Sequence, residues 1–201
     1  MGKYIREFFS IHDIWILGSL IFLALLSVTP QLGRWEIWLS FVVGIILYII
    51  SEYMTHRFFF HMKAPKNKSF LKFMKRIHYD HHEEPNDLKL LFLPIWYSLP
   101  QLVIVVLAVT LLTGDVFIAL AVFAGTASTI LYYEWTHYVA HRPYQPKTRW
   151  GKYMKKLHIL HHFKNEKYWY GVTNPSMDYL FGTMKDGKDV SKSETAKKLT
   201  M

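Results

Sequence analysis

Long apolar runs alternate with short polar breaks from residue 14 to residue 133, and two strongly polar, basic stretches interrupt or follow them. The first run covers about residues 14–29 and stops at Pro30 and Gly33, with Trp35 and Trp38 placed where an interface belt of aromatics is expected. The second covers about 37–53 and leads through Glu52 into histidines. The third begins at Leu90, but Pro94 and Pro100 argue against one straight helix. An interfacial piece up to Leu99, followed by a span over 101–112, fits as well. Thr113-Gly114-Asp115 reads as a tight turn, and a fourth run covers about 116–133. The pattern predicts an all-α protein with four transmembrane helices arranged as two hairpins.

Composition supports that reading. Of the 201 residues, 51% are hydrophobic and concentrated in these runs, which fits one membrane domain better than a soluble core. The net charge of +9 is clustered beside apolar spans, so a membrane surface is the expected partner and nucleic acid is not. There is no cysteine, which excludes disulfides, thiolate zinc sites and thiol nucleophiles. The N-terminal Met1-Gly2-Lys3-Tyr4-Ile5-Arg6 lacks a small-residue cleavage pattern, so the first run reads as a retained anchor. Arg6 occupies the place where a myristoylation signal needs Ser or Thr.

Charge also orients the spans. The short breaks at 30–36 and 113–115 carry one basic residue, Arg34. Residues 57–89 carry eight (Arg57, Lys63, Lys66, Lys68, Lys72, Lys75, Arg76 and Lys89), and the tail from Arg142 carries thirteen. The positive-inside rule then puts both termini and the middle segment in the cytoplasm: the endoplasmic reticulum membrane in a eukaryote, the inner membrane in a bacterium. The last dozen residues, about 188–201, are expected to fray.

The chain repeats itself. Met74-Lys75-Arg76-Ile77-His78-Tyr79-Asp80-His81-His82 and Met154-Lys155-Lys156-Leu157-His158-Ile159-Leu160-His161-His162 share a basic pair followed by His-x-x-His-His, 80 positions apart. His56 and His61 precede the first box and His137 and His141 the second, each with a gap of 17 to its box. Thr55-His56 and Thr136-His137 match, and each follows a glutamate, Glu52 or Glu134. The repeat halves are about 13–89 and 90–184 of a single 1–201 domain, and of 11 histidines only His12 lies outside the four clusters.

Helical residues three or four apart share a face, so each box directs three imidazoles toward one point, and His137 and His141 converge likewise. His56 and His61, five apart, lie about 140° around an ideal helix and converge only if the helix ends or loosens there. Imidazole suits iron, zinc, copper and nickel, and ten imidazoles suffice for two ions with five each. A structural zinc takes only four ligands. Solvated or core-satisfied histidines are the bland alternative, disfavoured by four clusters in duplicated register. No His-Glu-x-x-His is present, so a zincin protease is unsupported. Glu52, Glu134, Asp80 and Asp178 are candidates to orient ligand imidazoles, whereas Glu83 and Glu84 read as solvent-facing.

His-x4-His, His-x-x-His-His, His-x3-His and His-x-x-His-His, in that order between hydrophobic hairpins, resemble the fatty acid hydroxylase and sterol desaturase superfamily. Leu160-His161-His162-Phe163-Lys164-Asn165, Gly171-Val172-Thr173 and Phe181-Gly182-Thr183 resemble its fatty acid 2-hydroxylase branch. So do His81-His82-Glu83-Glu84-Pro85, Asp87 and Leu91-Phe92-Leu93-Pro94, and the likeness spans about 36–184. The resemblance implies a membrane-embedded non-haem dimetal oxygenase, with iron expected in the active enzyme, that uses dioxygen to hydroxylate a fatty acid or acyl lipid, most often at carbon 2. It implies ligands at His56, His61, His78, His81, His82, His137, His141, His158, His161 and His162, in a cytoplasmic helical cap. Zinc can occupy such a site in a purified sample. Many eukaryotic relatives carry a cytochrome b5 domain for which this chain has no space. A separate electron donor, of cytochrome b5 or ferredoxin type, is therefore expected to dock on the basic face. Tyr132, Tyr133, Trp135, Tyr168, Trp169 and Tyr170 are candidates to line the cleft or anchor the interface.

Three other readings compete. A sterol, carotenoid or alkyl-lipid oxidase would use the same histidines. A zinc-dependent membrane lipid hydrolase needs only about three protein ligands. A metal transporter wants polar residues at mid-span, where Phe22, Val43, Val106 and Ala121 are apolar.

Overall fold

The computed structural model describes residues 2–200, and among them every regular element is helical. In chain order these are α1 (Gly2–Phe9), α2 (His12–Val28), α3 (Trp35–Met54), α4 (Lys68–Met74), α5 (Asp80–Glu83), α6 (Leu88–Leu91), α7 (Ile95–Thr113), α8 (Val116–His141), α9 (Arg149–Phe163) and α10 (Ser176–Leu180). Two π-helical segments, Thr55–Phe60 and Lys75–Tyr79, extend α3 and join α4 to α5. Four segments are long and apolar enough to cross a membrane: His12–Gln31, Trp35–Phe60, Leu88–Thr113 and Val116–His141. They mark a multi-pass membrane protein.

The chain forms two compact units, residues 1–49 with 93–132, and residues 50–92 with 133–201. In the first, Leu17, Ile21 and Ala24 of α2 pack with Leu102 of α7 and Phe123, Ala124, Ala127 and Ile130 of α8. Helices α3 and α8 meet through glycine. A Cβ on Gly44 would collide with the Val122 carbonyl, and one on Gly125 with the Phe41 carbonyl. Small residues that let backbones touch are the usual adhesive between helices in lipid. Thr126 Oγ1 donates to the Gly44 carbonyl at 3.2 Å across the same contact. Phe22, Ile104, Leu107, Leu111 and Leu112 are exposed, as hydrocarbon-facing positions should be.

The third span differs from expectation. Helix α7 runs unbroken through Pro100, and the break falls at residues 92–94, where Pro94 is the N-cap. Proline forces the residue before it away from helical angles. Pro100, by contrast, costs one hydrogen bond that a continuing helix tolerates. Gly114, with φ 67°, closes α7, and Asp115 Oδ1 accepts from Phe117 N at 2.8 Å to start α8. Arg34 reaches Asp115 at 2.7 Å, bringing the two short turns together. Helix α8 continues past the expected end at Tyr133 to His141, because the polar residues there form one more regular stretch.

In the second unit, Asn67 and Thr148 cap α4 and α9 by accepting from Phe70 N and Gly151 N, each at 3.0 Å. Met154, Leu157, Trp169 and Val190 form a small core. The tail over 188–200, expected to fray, contains no helix but is tied down. Val190 and Ala196 are buried, Ser193 N donates to the Lys164 carbonyl at 2.7 Å, and Thr195 Oγ1 donates to Glu166 at 2.6 Å. The contacts that hold it are long-range hydrogen bonds, which leave no periodic signal in sequence.

Candidate metal centre

Four segments of the second unit bring the ten clustered histidines together. Nine of them are buried and His61 is partly exposed. They form two groups of five, His56, His61, His78, His82 and His161, and His81, His137, His141, His158 and His162, with one ring nitrogen of each residue within 4.8 Å of the others in its group.

The groups do not follow the repeat halves. Each box sends its middle histidine to the other group: His161 Nε2 lies 3.0 Å from His61 Nε2, and His137 Nε2 lies 2.8 Å from His81 Nε2. Three nitrogens per box aimed at one point was therefore the wrong picture. Adjacent helical residues diverge by about 100°, so His158 and His162, four apart, share a direction that His161 leaves.

The spacing of His56 and His61 is resolved by the π-helix between them. His61 N donates to the His56 carbonyl at 3.2 Å, the i to i+5 pattern that absorbs one extra residue. His137 and His141, four apart on regular α8, need no such loosening. The second basic pair also has a structural use. Lys155 Nζ donates to the Val139, Arg142 and Tyr144 carbonyls at 2.9, 2.7 and 2.9 Å, satisfying the end of the helix that carries His137 and His141.

Tautomers follow from the hydrogen bonds. His56 Nδ1 donates to the Tyr170 carbonyl at 2.5 Å, His161 Nδ1 to Tyr168 at 2.8 Å and His82 Nδ1 to Ala196 at 2.8 Å. Each of these rings then carries its lone pair on Nε2, pointing into the group. His56 Nε2 and His82 Nε2, buried there, have no hydrogen-bond partner in the protein. Burial above all, reinforced by neighbouring imidazoles, holds His61, His78, His81, His158, His161 and His162 well below the usual histidine range. Burial takes His82 down to about 3. Buried rings whose Nε2 atoms converge, those of His56, His82 and His162 without a partner, suit metal cations.

The carboxylates act differently from expectation. Glu52 accepts from Val172 N at 2.6 Å, from Thr173 N at 3.1 Å and from Thr173 Oγ1. Asp178 accepts from Tyr170 N and Gly171 N, both at 2.8 Å, and from Thr183 Oγ1 at 2.7 Å. Both brace the loop whose carbonyls hold His56 and His161, and neither reaches an imidazole itself. A Cβ on Gly171 would clash with the Asn174 carbonyl and crowd Asp178, so glycine is required there. Asp80 pairs with Lys75 at 3.8 Å near solvent, and Glu134 is buried on α8. Glu83 and Glu84 are exposed, as expected. Sequence reasoning missed the Tyr168, Tyr170 and Ala196 carbonyls, because a backbone acceptor has no residue signature. Of the aromatics, Trp169 is fully buried and Tyr170 packs edge-on to His56 and His61. A cavity of about 150 Å³ opens beside His61, between Lys63, Glu166, Tyr170 and Thr195.

Residues 41–183 match the family model described as fatty acid hydroxylase. The fatty acid 2-hydroxylase of Rattus norvegicus is 34% identical over 146 residues, 72% of this chain and 39% of that protein. A dihydroceramide fatty acyl 2-hydroxylase of Arabidopsis thaliana is 31% identical over 166 residues, 81% of this chain and 65% of that protein. The solved structure titled full-length Scs7p, with only its hydroxylase domain visible, superposes with a TM-score of 0.75 at 26% identity, over 89% of this chain and 66% of that one. The chain spans about two fifths of the length of the mammalian relatives it matches.

Proposed function

The chain belongs to the fatty acid hydroxylase family, and on that premise we propose that it is a membrane-bound, dioxygen-dependent dimetal oxygenase that hydroxylates lipid acyl chains, with carbon 2 of a fatty acyl group as the target. The observation that carries the proposal is the pair of five-imidazole groups, neutral and convergent, in a chain of this family. His56, His61, His78, His82 and His161 would hold one ion, and His81, His137, His141, His158 and His162 the other. Bound iron would supply the redox chemistry with dioxygen that no side chain offers to an unactivated C–H bond.

The protein's own residues do the rest. Burial disfavours protonation of the imidazoles, the carbonyls of Tyr168, Tyr170 and Ala196 fix three tautomers, Glu52 and Asp178 brace the loop of Tyr168 and Tyr170, and Thr195 and Ser193 tie down the segment of Ala196. Inserting one oxygen atom of dioxygen into a C–H bond and sending the other to water takes two electrons and two protons. A redox protein of cytochrome b5 or ferredoxin type would deliver the electrons, and the exposed Lys63, Lys66, Lys68 and Lys72 suit an acidic face on it. Raised ionic strength should then increase the donor concentration needed for half-maximal activity. Positive-inside charge supports a cytoplasmic site and cytoplasmic termini. The whole chain reads as one hydroxylase domain of two repeat halves, about 13–89 and 90–184. Five imidazoles per group exceed what a hydrolytic zinc needs, which disfavours a lipid hydrolase.

The test is mass spectrometry of hydrolysed acyl chains from a host expressing the protein with a compatible electron donor. Wild type should add one oxygen at carbon 2, and His78→Ala and His158→Ala should not. Unchanged acyl chains in the wild-type host would reject the substrate assignment and direct the search to sterol-type lipids.

A further inference from the structure

The ten histidines repeat across the two halves, but their surroundings do not. In the group of His56, His61, His78, His82 and His161, three Nδ1 atoms are bonded to backbone carbonyls. In the other group, the Nδ1 atoms of His81, His158 and His162 have no hydrogen-bond partner in the protein, and the nearby Leu91 carbonyl makes no well-formed bond with His137.

All three carbonyls come from the segment after the second box. Trp169 has φ 57°, a left-handed conformation unusual for a bulky residue, and it separates the two carbonyls, of Tyr168 and Tyr170, that each meet an imidazole. The strained residue is held by full burial and by Nε1 donating to the Lys185 carbonyl at 3.0 Å. Asp178 fixes the amides of Tyr170 and Gly171. Thr195, through Glu166, and Ser193, through Lys164, place the Ala196 carbonyl on His82. After the first box the chain brings the Leu91 carbonyl of α6 near His137 without a well-formed bond, and Glu83 and Glu84 are exposed.

We propose that the two metal positions are inequivalent. The group containing His56, His82 and His161 is the high-affinity position, pre-set by the Tyr168, Tyr170 and Ala196 carbonyls, with Asp178 and Thr195 as positioning residues. The group containing His81 and His141 is the position that exchanges its ion. A carbonyl on Nδ1 fixes the ring's tautomer and direction and raises its basicity, and losing such a partner costs roughly 10–100-fold in metal affinity. The inference rests on the dimetal reading above.

The experiment is zinc release from the purified full-length protein to a chromophoric chelator. Wild type should bind two equivalents and release them in two steps separated by about 10-fold or more. His141→Ala should retain only the tight equivalent. Asp178→Asn and Thr195→Val should weaken that equivalent by about 10–100-fold and leave the other unchanged. Single-step release from wild type, or loss of the tight equivalent in His141→Ala, overturns the proposal. If Asp178→Asn weakens both equivalents through general loss of fold, seen by circular dichroism, Thr195→Val decides, and an unaltered tight step there overturns it. Fewer than two equivalents in wild type would instead reject the dimetal reading itself.

Discussion

The Nε2 atoms of His81 and His137, 56 positions apart in the chain, lie 2.8 Å from each other. The reciprocal contact, His161 to His61 at 3.0 Å, spans 100 positions. Each five-histidine group is thus completed by one imidazole from the other half of the chain.

That exchange makes a prediction about metal content. His81→Ala should deplete the position built around His137 and His141, although His81 belongs to the first box, and His161→Ala should deplete the position built around His56 and His78. Elemental analysis should find close to one ion per chain in each variant, against two in wild type. Two retained ions in both would refute the crossed arrangement.

Stability of the metal-free protein should fall with acid. His61, His78, His81, His82, His158, His161 and His162 are all depressed below 6.5 in the folded chain, His82 to about 3, chiefly by burial. A depressed histidine stays neutral when folded but takes up a proton when unfolded. Stability is therefore full above pH 6.5 and declines as pH falls through that value toward the folded pKa. Melting temperatures measured between pH 8 and pH 5 should be flat at first and then drop. A rise toward pH 5 would contradict the burial of these rings.

Glu52→Ala removes the acceptor for Val172 N, Thr173 N and the Thr173 hydroxyl, all buried. Leaving such donors unanswered costs on the order of 1–3 kcal/mol each, softened where water enters. Thermal unfolding should show a marked loss, and zinc affinity should weaken because the same loop carries the Tyr170 carbonyl. Glu52→Gln, which keeps an acceptor oxygen, should lose less.

Gly44→Ala and Gly125→Ala place a methyl against the Val122 and Phe41 carbonyls at the contact between α3 and α8. Overpacking of this kind costs about 1–3 kcal/mol. Unfolding in detergent should register it in both variants, whereas Gly18→Ala, with open space around it, should be close to neutral.

Several features of this protein were legible in residue order alone. The four spans follow from runs of apolar residues, because lipid requires every backbone group of a spanning segment to be satisfied within a helix. The ten histidines stood out because their spacing repeats at 17 and 80 positions. Even the awkward five-residue step from His56 to His61 signalled a loosened helix, and a π-helix is there. Tertiary structure alone decided which imidazoles share a group, since the 100° step between neighbouring helical residues leaves two targets open until the helices are placed. It also decided that Glu52 and Asp178 act through a loop, that Pro100 sits inside a helix, and that the tail hydrogen-bonds back to Lys164. These outcomes depend on backbone amides and carbonyls meeting across long separations. Every residue carries such groups, so no arrangement of side chains along the sequence announces where they will meet.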